Sequence, residues 1–193
     1  YPKLGKIKLN NRPIIVGSGP AGLFSAYLLA EQGFKPLIIE RGEAVEERIK
    51  SVEHFWNTGI LKENSNVQFG EGGAGAFSDG KLTTRIKDTR IDYVLNEFVK
   101  SGAPKEILYL AKPHIGTDIL KDVVKNIRKQ IIALGGEVRF SSKLEYIKSN
   151  NGKIKSIIVN VQFVVENLFL IRIIKVLFVL LATLNIISLR EKL

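Results

Sequence analysis

The chain has 193 residues, with no cysteine, two histidines and 29 basic against 19 acidic side chains, a formal net charge of +10. That length holds one ordinary domain, or one domain and part of a second, and a fold of this size hides about 70% of the surface that the unfolded chain exposes. The missing cysteines exclude disulfides, thiolate metal centres, iron–sulfur clusters, a cysteine nucleophile and a dithiol relay, and with His54 and His114 the only histidines no metal site is expected.

The excess of lysine is spread along the chain, with a small group at Lys3, Lys6 and Lys8. No arginine stripe interleaved with aromatics accompanies it, so it reads as a solvated surface and no nucleic-acid partner is expected. The sequence opens Tyr1-Pro2-Lys3 and contains no methionine. A fragment of a longer protein is the expectation. No basic stretch followed by an apolar segment opens it, so the expected location is the cytoplasm.

Pro13 to Val16 is a short apolar run, as expected of a strand buried on both faces in a parallel sheet. It leads into Gly17-Ser18-Gly19-Pro20-Ala21-Gly22. A helix is predicted from there to about Gln32, with Gly33 as its stop. Leu37 to Ile39 is the second strand and ends at Glu40, so residues 12–40 read as one right-handed β-α-β unit. Val45 to Phe55 is predicted helical. A glycine-rich loop runs from Gly70 to Gly80. Asp92 is the predicted cap of a helix ending at Lys100, and Pro104 suits the first turn of a short one. Thr117 is the predicted cap of a longer helix, whose stripe Leu120, Val124, Ile127, Ile131 and Leu134 faces a core. Gly135-Gly136 ends it, and Glu137 to Phe140 is the third strand, with Val138 to Phe140 expected in the central sheet. Leu144 to Ile147 and Ile154 to Val159 flank the hairpin dipeptide Asn151-Gly152. Beyond Val161 the chain turns apolar. Its longest uncharged run, Val176 to Leu189, has 14 residues, against about 20 for a membrane-spanning helix. Buried strand, membrane segment and aberrant tail stay open there, the membrane segment least favoured.

The glycine hexad carries the chemistry. Gly17 permits a tight turn, Gly19 lets a pyrophosphate approach the backbone, and Gly22 lets the helix pack on the strand. The helix start then offers free N–H groups and its positive dipole end to phosphate, with Ser18, Pro20 and Ala21 completing the cradle. Glu40 is placed to accept hydrogen bonds from ribose hydroxyls and to repel a 2′-phosphate, which favours FAD or NAD over NADP. Arg41, and less directly Arg48, are candidates to neutralise phosphate charge. The second loop has two readings, a cofactor loop in which Gly72, Gly73 and Ala74 bring amides close to an anion, or a flexible surface loop. Ser78, Asp79 and Lys81 then face flavin or substrate, Lys81 to stabilise a reduced anionic ring. His114 is a candidate proton donor or acceptor, or a loop histidine bonded to local backbone. His54, beside Phe55 and Trp56, reads as a packing residue.

Gly17 to Gly22, followed by Ile39-Glu40-Arg41-Gly42, resembles the FAD-binding start of the glutathione-reductase-like flavoprotein superfamily. The segments Asn66 to Leu82 and Lys112 to Asp118 are similar to a group of bacterial FAD-dependent dehydrogenases described as NAD(P)/FAD-dependent oxidoreductases. The resemblance covers residues 10–160. It implies a Rossmann-like α/β domain with a parallel central sheet, helices on both faces and a small hairpin or meander. It also implies non-covalent FAD, a small-molecule substrate, and NAD(P)H as electron donor or acceptor. Superfamily members carry a returning strand ending Ala-Thr-Gly; here Ala182-Thr183 is followed by Leu184. The expected division is therefore a partial FAD-binding domain over 1–160 and an aberrant, truncated or strand-forming tail over 161–193. The expected activity is hydride transfer through FAD, and the alternative is a non-catalytic FAD- or ADP-binding fragment.

Overall fold

The structure is a computed structural model that describes residues 11–82, 87–110, 112–151, 153–160, 163–166 and 169–170. The first unit is β1 (Pro13–Val16), α1 (Pro20–Glu31) and β2 (Leu37–Ile39), followed by α2 (Val45–Thr58). After the glycine-rich loop come α3 (Arg90–Lys100), a short 3-10 turn at Lys105–Leu108, α4 (Thr117–Ala133) and β3 (Glu137–Arg139). Strands β4 (Leu144–Asn150), β5 (Lys153–Val159), β6 (Phe163–Glu166) and β7 (Phe169–Leu170) complete the described chain.

Two sheets result. One has the order β3-β2-β1-β7 with every pair parallel; Ile15 lies opposite Ile38, and Ile38 opposite Val138. The other is the antiparallel meander β4-β5-β6. Strand periodicity assigns the two faces of the parallel sheet. Ile15 and Ile38 point to a core with Leu23, Phe24 and Tyr27 of α1, Phe98 of α3, and Val123, Val124, Ile127 and Ile131 of α4. Ile14, Leu37 and Ile39 point the other way, onto Ile157 and Val159 of the meander. The fold is Rossmann-like α/β. One detail differs from expectation: the second face carries the antiparallel sheet where helices were expected, because the apolar side of β5 supplies the cover.

Several boundaries also move. The third strand is Glu137–Arg139, starting where expected, with Glu137 N–H bonded to Pro36 O at 2.9 Å, and ending one residue before Phe140. Helix α3 has Thr89 at its N-cap position without a side-chain cap bond; Asp88, just before it, accepts from Arg90 N–H at 2.9 Å through Oδ1, and Asp92 sits inside the first turn. Thr117 is the first residue of α4, with Gly116 as cap; the chain path there is set by Ile115 N–H bonding Gly80 O at 2.8 Å. The predicted stripe on α4 is buried from Leu120 to Ile131, with Val123 added, but Leu134 is exposed because the helix ends before it. Asn151 turns the β4–β5 hairpin at φ 50°, while Gly152 lies outside the described residues. The returning strand expected around Ala182-Thr183 also lies outside them. Among the described residues, no helix is long and apolar enough to cross a membrane.

Candidate functional site

The first glycine loop is held from inside the protein. Strand β1 hands over to Gly17 at φ +93°, with Gly17 N–H bonded to Ile39 O at 2.8 Å. Glu40, at the end of β2, is 4% exposed. Its Oε2 accepts from Ser18 N–H at 2.7 Å and from Ser18 Oγ–H at 3.0 Å, and its Oε1 accepts from Gly42 N–H at 2.8 Å. A carboxylate offers about four lone-pair sites, so one acceptor position stays free. The carboxylate that spacing aimed at a ligand therefore first shapes the loop.

The three motif glycines do different things. Gly17 needs its positive φ. At Gly22 a Cβ would lie 1.9 Å from Gly17 O, so helix and strand meet only without a side chain. Gly19 is extended at φ −66°, ψ 178°, and a Cβ there meets no protein atom within 4 Å. Neither backbone strain nor packing requires that glycine. It precedes Pro20 and Ala21 at the start of α1, whose N-terminus has no side-chain cap.

The second glycine loop is a built part of the interior, not a surface excursion. Arg48, on α2, is fully buried. Its Nε donates to Asn66 O at 2.9 Å, its Nη2 to Val67 O at 2.9 Å, and its Nη1 to Glu71 O at 2.6 Å and Gly73 O at 2.8 Å. The guanidinium also lies 4.5 Å from the centre of the Phe77 ring. Arg48 is thus a template for loop carbonyls, and its role as a phosphate partner is corrected: the side chain is fully buried among those carbonyls and does not line the cavity beside the first loop. Burial pulls its pKa down to about 10, opposed by Glu40 and Glu71, so it stays charged at neutral pH. Gly72 N–H bonds Ser18 O at 2.9 Å, and a Cβ on Gly73 would come 3.3 Å from Pro20 Cδ and 3.5 Å from Gly19 Cα. The two glycine loops therefore touch, with Ala74 opening a 3-10 turn beyond them.

Between Gly70 and Gly72 in this loop, Glu71 is fully buried, and nothing in the charge pattern of the sequence marked it. Its Oε2 accepts from Val45 N–H at 2.8 Å, capping α2 where Ala44 has no side chain to do so. Arg128 of α4 approaches the same oxygen at 3.2 Å, while Oε1 is buried with no hydrogen-bond partner. Burial pushes the carboxyl up to about 7; the Val45 amide and Arg128 oppose the shift, and Glu46 and Glu40 add to it.

A cavity of about 390 Å³ is lined by Gly17, Gly19, Glu40, Arg41, Gly73 and Lys143, among others. Arg41 donates from Nη2 to Asn64 Oδ1 at 3.0 Å and lies 4.3 Å from the centre of the Phe69 ring, and its Nε is buried without a partner. The structure thus brings Gly17, Gly19, Glu40, Arg41 and Gly73 to one cavity. Gly72, Lys81 and Ser78 line a second, apolar cavity of about 60 Å³ beside α1 and α4. Lys81 pairs with Asp79 at 3.0 Å, which holds that carboxyl below its usual range, and Ser78 Oγ–H bonds Gly75 O at 2.8 Å. Lys81 and His114 face each other across a single antiparallel bridge, so the two candidate catalytic residues are neighbours. His54 is exposed on α2, and Trp56 is 63% exposed; the packing role expected of that histidine is corrected.

A buried acid at the end of β2 organising a glycine turn at a helix start belongs to a Rossmann-like α/β fold. Residues 15–69 match the family model of the NAD(P)-binding Rossmann-like domain. An uncharacterized protein of Clostridium beijerinckii is 60% identical over 158 residues, which are 82% of this chain and 30% of that protein. The chain thus spans under a third of the curated relative it matches. Among solved structures, glycine oxidase from Bacillus cereus aligns at 18% identity over 83% of this chain and 54% of its own, with a TM-score of 0.43. Lactococcus lactis thioredoxin reductase aligns at 14% identity over 83% of this chain and 35% of its own, TM-score 0.42. OTEMO, solved in complex with FAD and NADP, aligns at 13% identity over 85% of this chain and 25% of its own, TM-score 0.49.

Proposed function

We propose that this chain is the FAD-binding part of an FAD-dependent oxidoreductase of the glutathione-reductase-like type, acting in the cytoplasm on a small-molecule substrate, with NAD(P)H as electron donor or acceptor. The observation that carries the reading is Gly19. It is the one glycine of the motif that neither the backbone nor the packing requires, and its open side faces the cavity beside the α1 N-terminus. A Cβ-free approach there suits a pyrophosphate. The partnerless Arg41 Nε and the free acceptor site of Glu40 fit the remaining polar groups of an adenine dinucleotide.

When bound, FAD supplies the two-electron redox chemistry. The chain's own residues bind and orient. The amides of Gly19, Ala21, Gly22 and Ala74 receive phosphate oxygens, while those of Gly17, Ser18, Gly72 and Gly73 are spent on holding the two loops in shape. Glu40 accepts from ribose while holding Ser18 in place. Arg41 balances phosphate charge. Lys81 and His114 are the proposed catalytic side chains, Lys81 for charge and His114 for proton transfer. Hydride transfer is proposed for the whole protein, and dinucleotide binding for this chain.

Gly19→Val tests the reading. The variant should keep a native circular dichroism spectrum, because its Cβ meets no protein atom within 4 Å, yet lose FAD in titration calorimetry. Full FAD affinity in the variant would remove the pyrophosphate from this loop.

A further inference from the structure

We infer that Glu71 takes up a proton when an adenine dinucleotide binds at the Gly17–Gly22 loop, so that the site holds its ligand more tightly at acidic than at alkaline pH. The inference rests on the dinucleotide reading above and concerns a residue that the reading leaves without a task.

Position comes first. Glu71 sits between Gly70, which lines the larger cavity, and Gly72, whose N–H bonds Ser18 O in the first loop. Glu71 is therefore one residue from backbone that lines the cavity, Gly70, and one from backbone tied to the first glycine loop, Gly72. It is fully buried, so water screens that charge weakly.

The charge balance around it is uneven. From β2 comes Glu40; from α2 come Glu46 and Arg48; from α4 comes Arg128. Lys125 of α4 reaches Glu46 at 3.3 Å from the outer side. The inner group is thus three carboxylates against two guanidiniums. A dinucleotide adds pyrophosphate negative charge to the same region. Arg41 and Lys143 line the larger cavity and offset part of the added charge; of the three acids, the one with the weakest partners is the readiest to take a proton. Glu40 has three donors. Glu46 also has an unpartnered oxygen, Oε2, but its Oε1 takes Arg128 at 2.6 Å and Lys125 at 3.3 Å, and the carboxyl is held below its usual range despite burial. Glu71 has one amide, one longer contact to Arg128 and a wholly unpartnered Oε1. Its carboxyl already lies near neutrality, at about 7, with burial the leading cause. Bound phosphate favours the uncharged form further, and by linkage the uncharged form favours phosphate.

FAD is the probe, because its pyrophosphate does not titrate near neutral pH and any proton taken up goes to the protein. The full chain is titrated with FAD by calorimetry at pH 6, 7 and 8, in buffers of differing ionisation enthalpy. Uptake of a fraction of one proton is expected near pH 7, with affinity falling roughly three- to tenfold from pH 6 to pH 8. Glu71→Gln is uncharged at every pH and still accepts from Val45 N–H, so it should bind with no pH slope and no buffer dependence. A flat profile in the unaltered chain, or a slope that persists in Glu71→Gln, overturns the role of Glu71 and leaves the dinucleotide site standing. No FAD binding at any of the three pH values overturns the site itself and the inference with it. Where Glu71→Gln does not fold, carbon-13 NMR of the Glu71 carboxyl decides: its titration midpoint should move upward with FAD, and an unmoved midpoint overturns the assignment.

Discussion

At the residue scale, three glycines of one motif answer to three different constraints. Gly17 answers to φ, Gly22 to the 1.9 Å approach of Gly17 O, and Gly19 to nothing inside the chain. Gly22→Ala should therefore lose the cooperative thermal transition that Gly19→Val keeps, and melting curves of the pair separate a packing glycine from a ligand glycine. Glu40 has a comparable double duty. Truncation to alanine strands the Ser18 and Gly42 amides and the Ser18 hydroxyl in a buried site. Glu40→Ala should cost about 3 kcal/mol in urea unfolding, in addition to weakening FAD. A stability loss under about 1 kcal/mol would mean that solvent replaces those bonds. The spacing of glycines and acid made this half of the site legible. The buried role of Arg48, read as a phosphate partner, and the place of Glu71 were not legible, because the neighbours that bury a charge are known only from the fold.

At the element scale, the glycine-rich second loop owes its shape to α2 rather than to its own sequence. Arg48 supplies donors to carbonyls of Asn66, Val67, Glu71 and Gly73. Glu71 returns a cap to the start of α2. Helix and loop are thus a reciprocal pair. Arg48→Met keeps the length of the side chain and removes every donor, leaving buried carbonyls without partners. A loss of roughly 3–5 kcal/mol is expected in denaturant unfolding, with FAD binding lost under conditions where the variant still folds. Element types were readable from periodicity: the apolar runs of β1 and β2 point to cover on both faces, and the α4 stripe to one. Which element would cover the second face was not. A half-buried antiparallel strand such as β5 and an amphipathic helix present equally apolar sides, and only the pairing of Ile157 and Val159 with Ile14 and Ile39 decides between them. Caps were misplaced for a related reason: Gly116 and Thr89 take those positions with no side-chain cap bond, so chain path rather than a capping side chain sets where α4 and α3 begin.

At the scale of the whole molecule, pH acts on stability through opposed groups. Glu43, Glu46 and Glu137 are held below their usual range by hydrogen bonds and ion pairs despite the cost of burial, so their stabilisation is present above their unfolded values and lost on acidification. Glu71 acts in the other direction. Its carboxyl moves from 4.5 to about 7 on folding, so the native state binds the extra proton between those values. Its contribution is complete below the unfolded value and is lost as pH rises through about 7, at no more than about 1.4 kcal/mol per pH unit. Glu71→Gln removes that slope. The difference in unfolding free energy between variant and parent should shift in favour of the variant from pH 5 to pH 8, as read by urea titrations at each pH, and a constant difference would place the buried carboxyl at an ordinary value. A further consequence lies in the buried bonds of Arg48 and Glu40, which hold both loops in place with protein atoms alone. Ligand capture by such a site is an encounter and not a folding event. Little ordering entropy is left to lose on contact. The speed of capture is then set by diffusion and by the pull of a chain carrying +10 on an anionic visitor, a pull that added salt would weaken without changing the shape of the site.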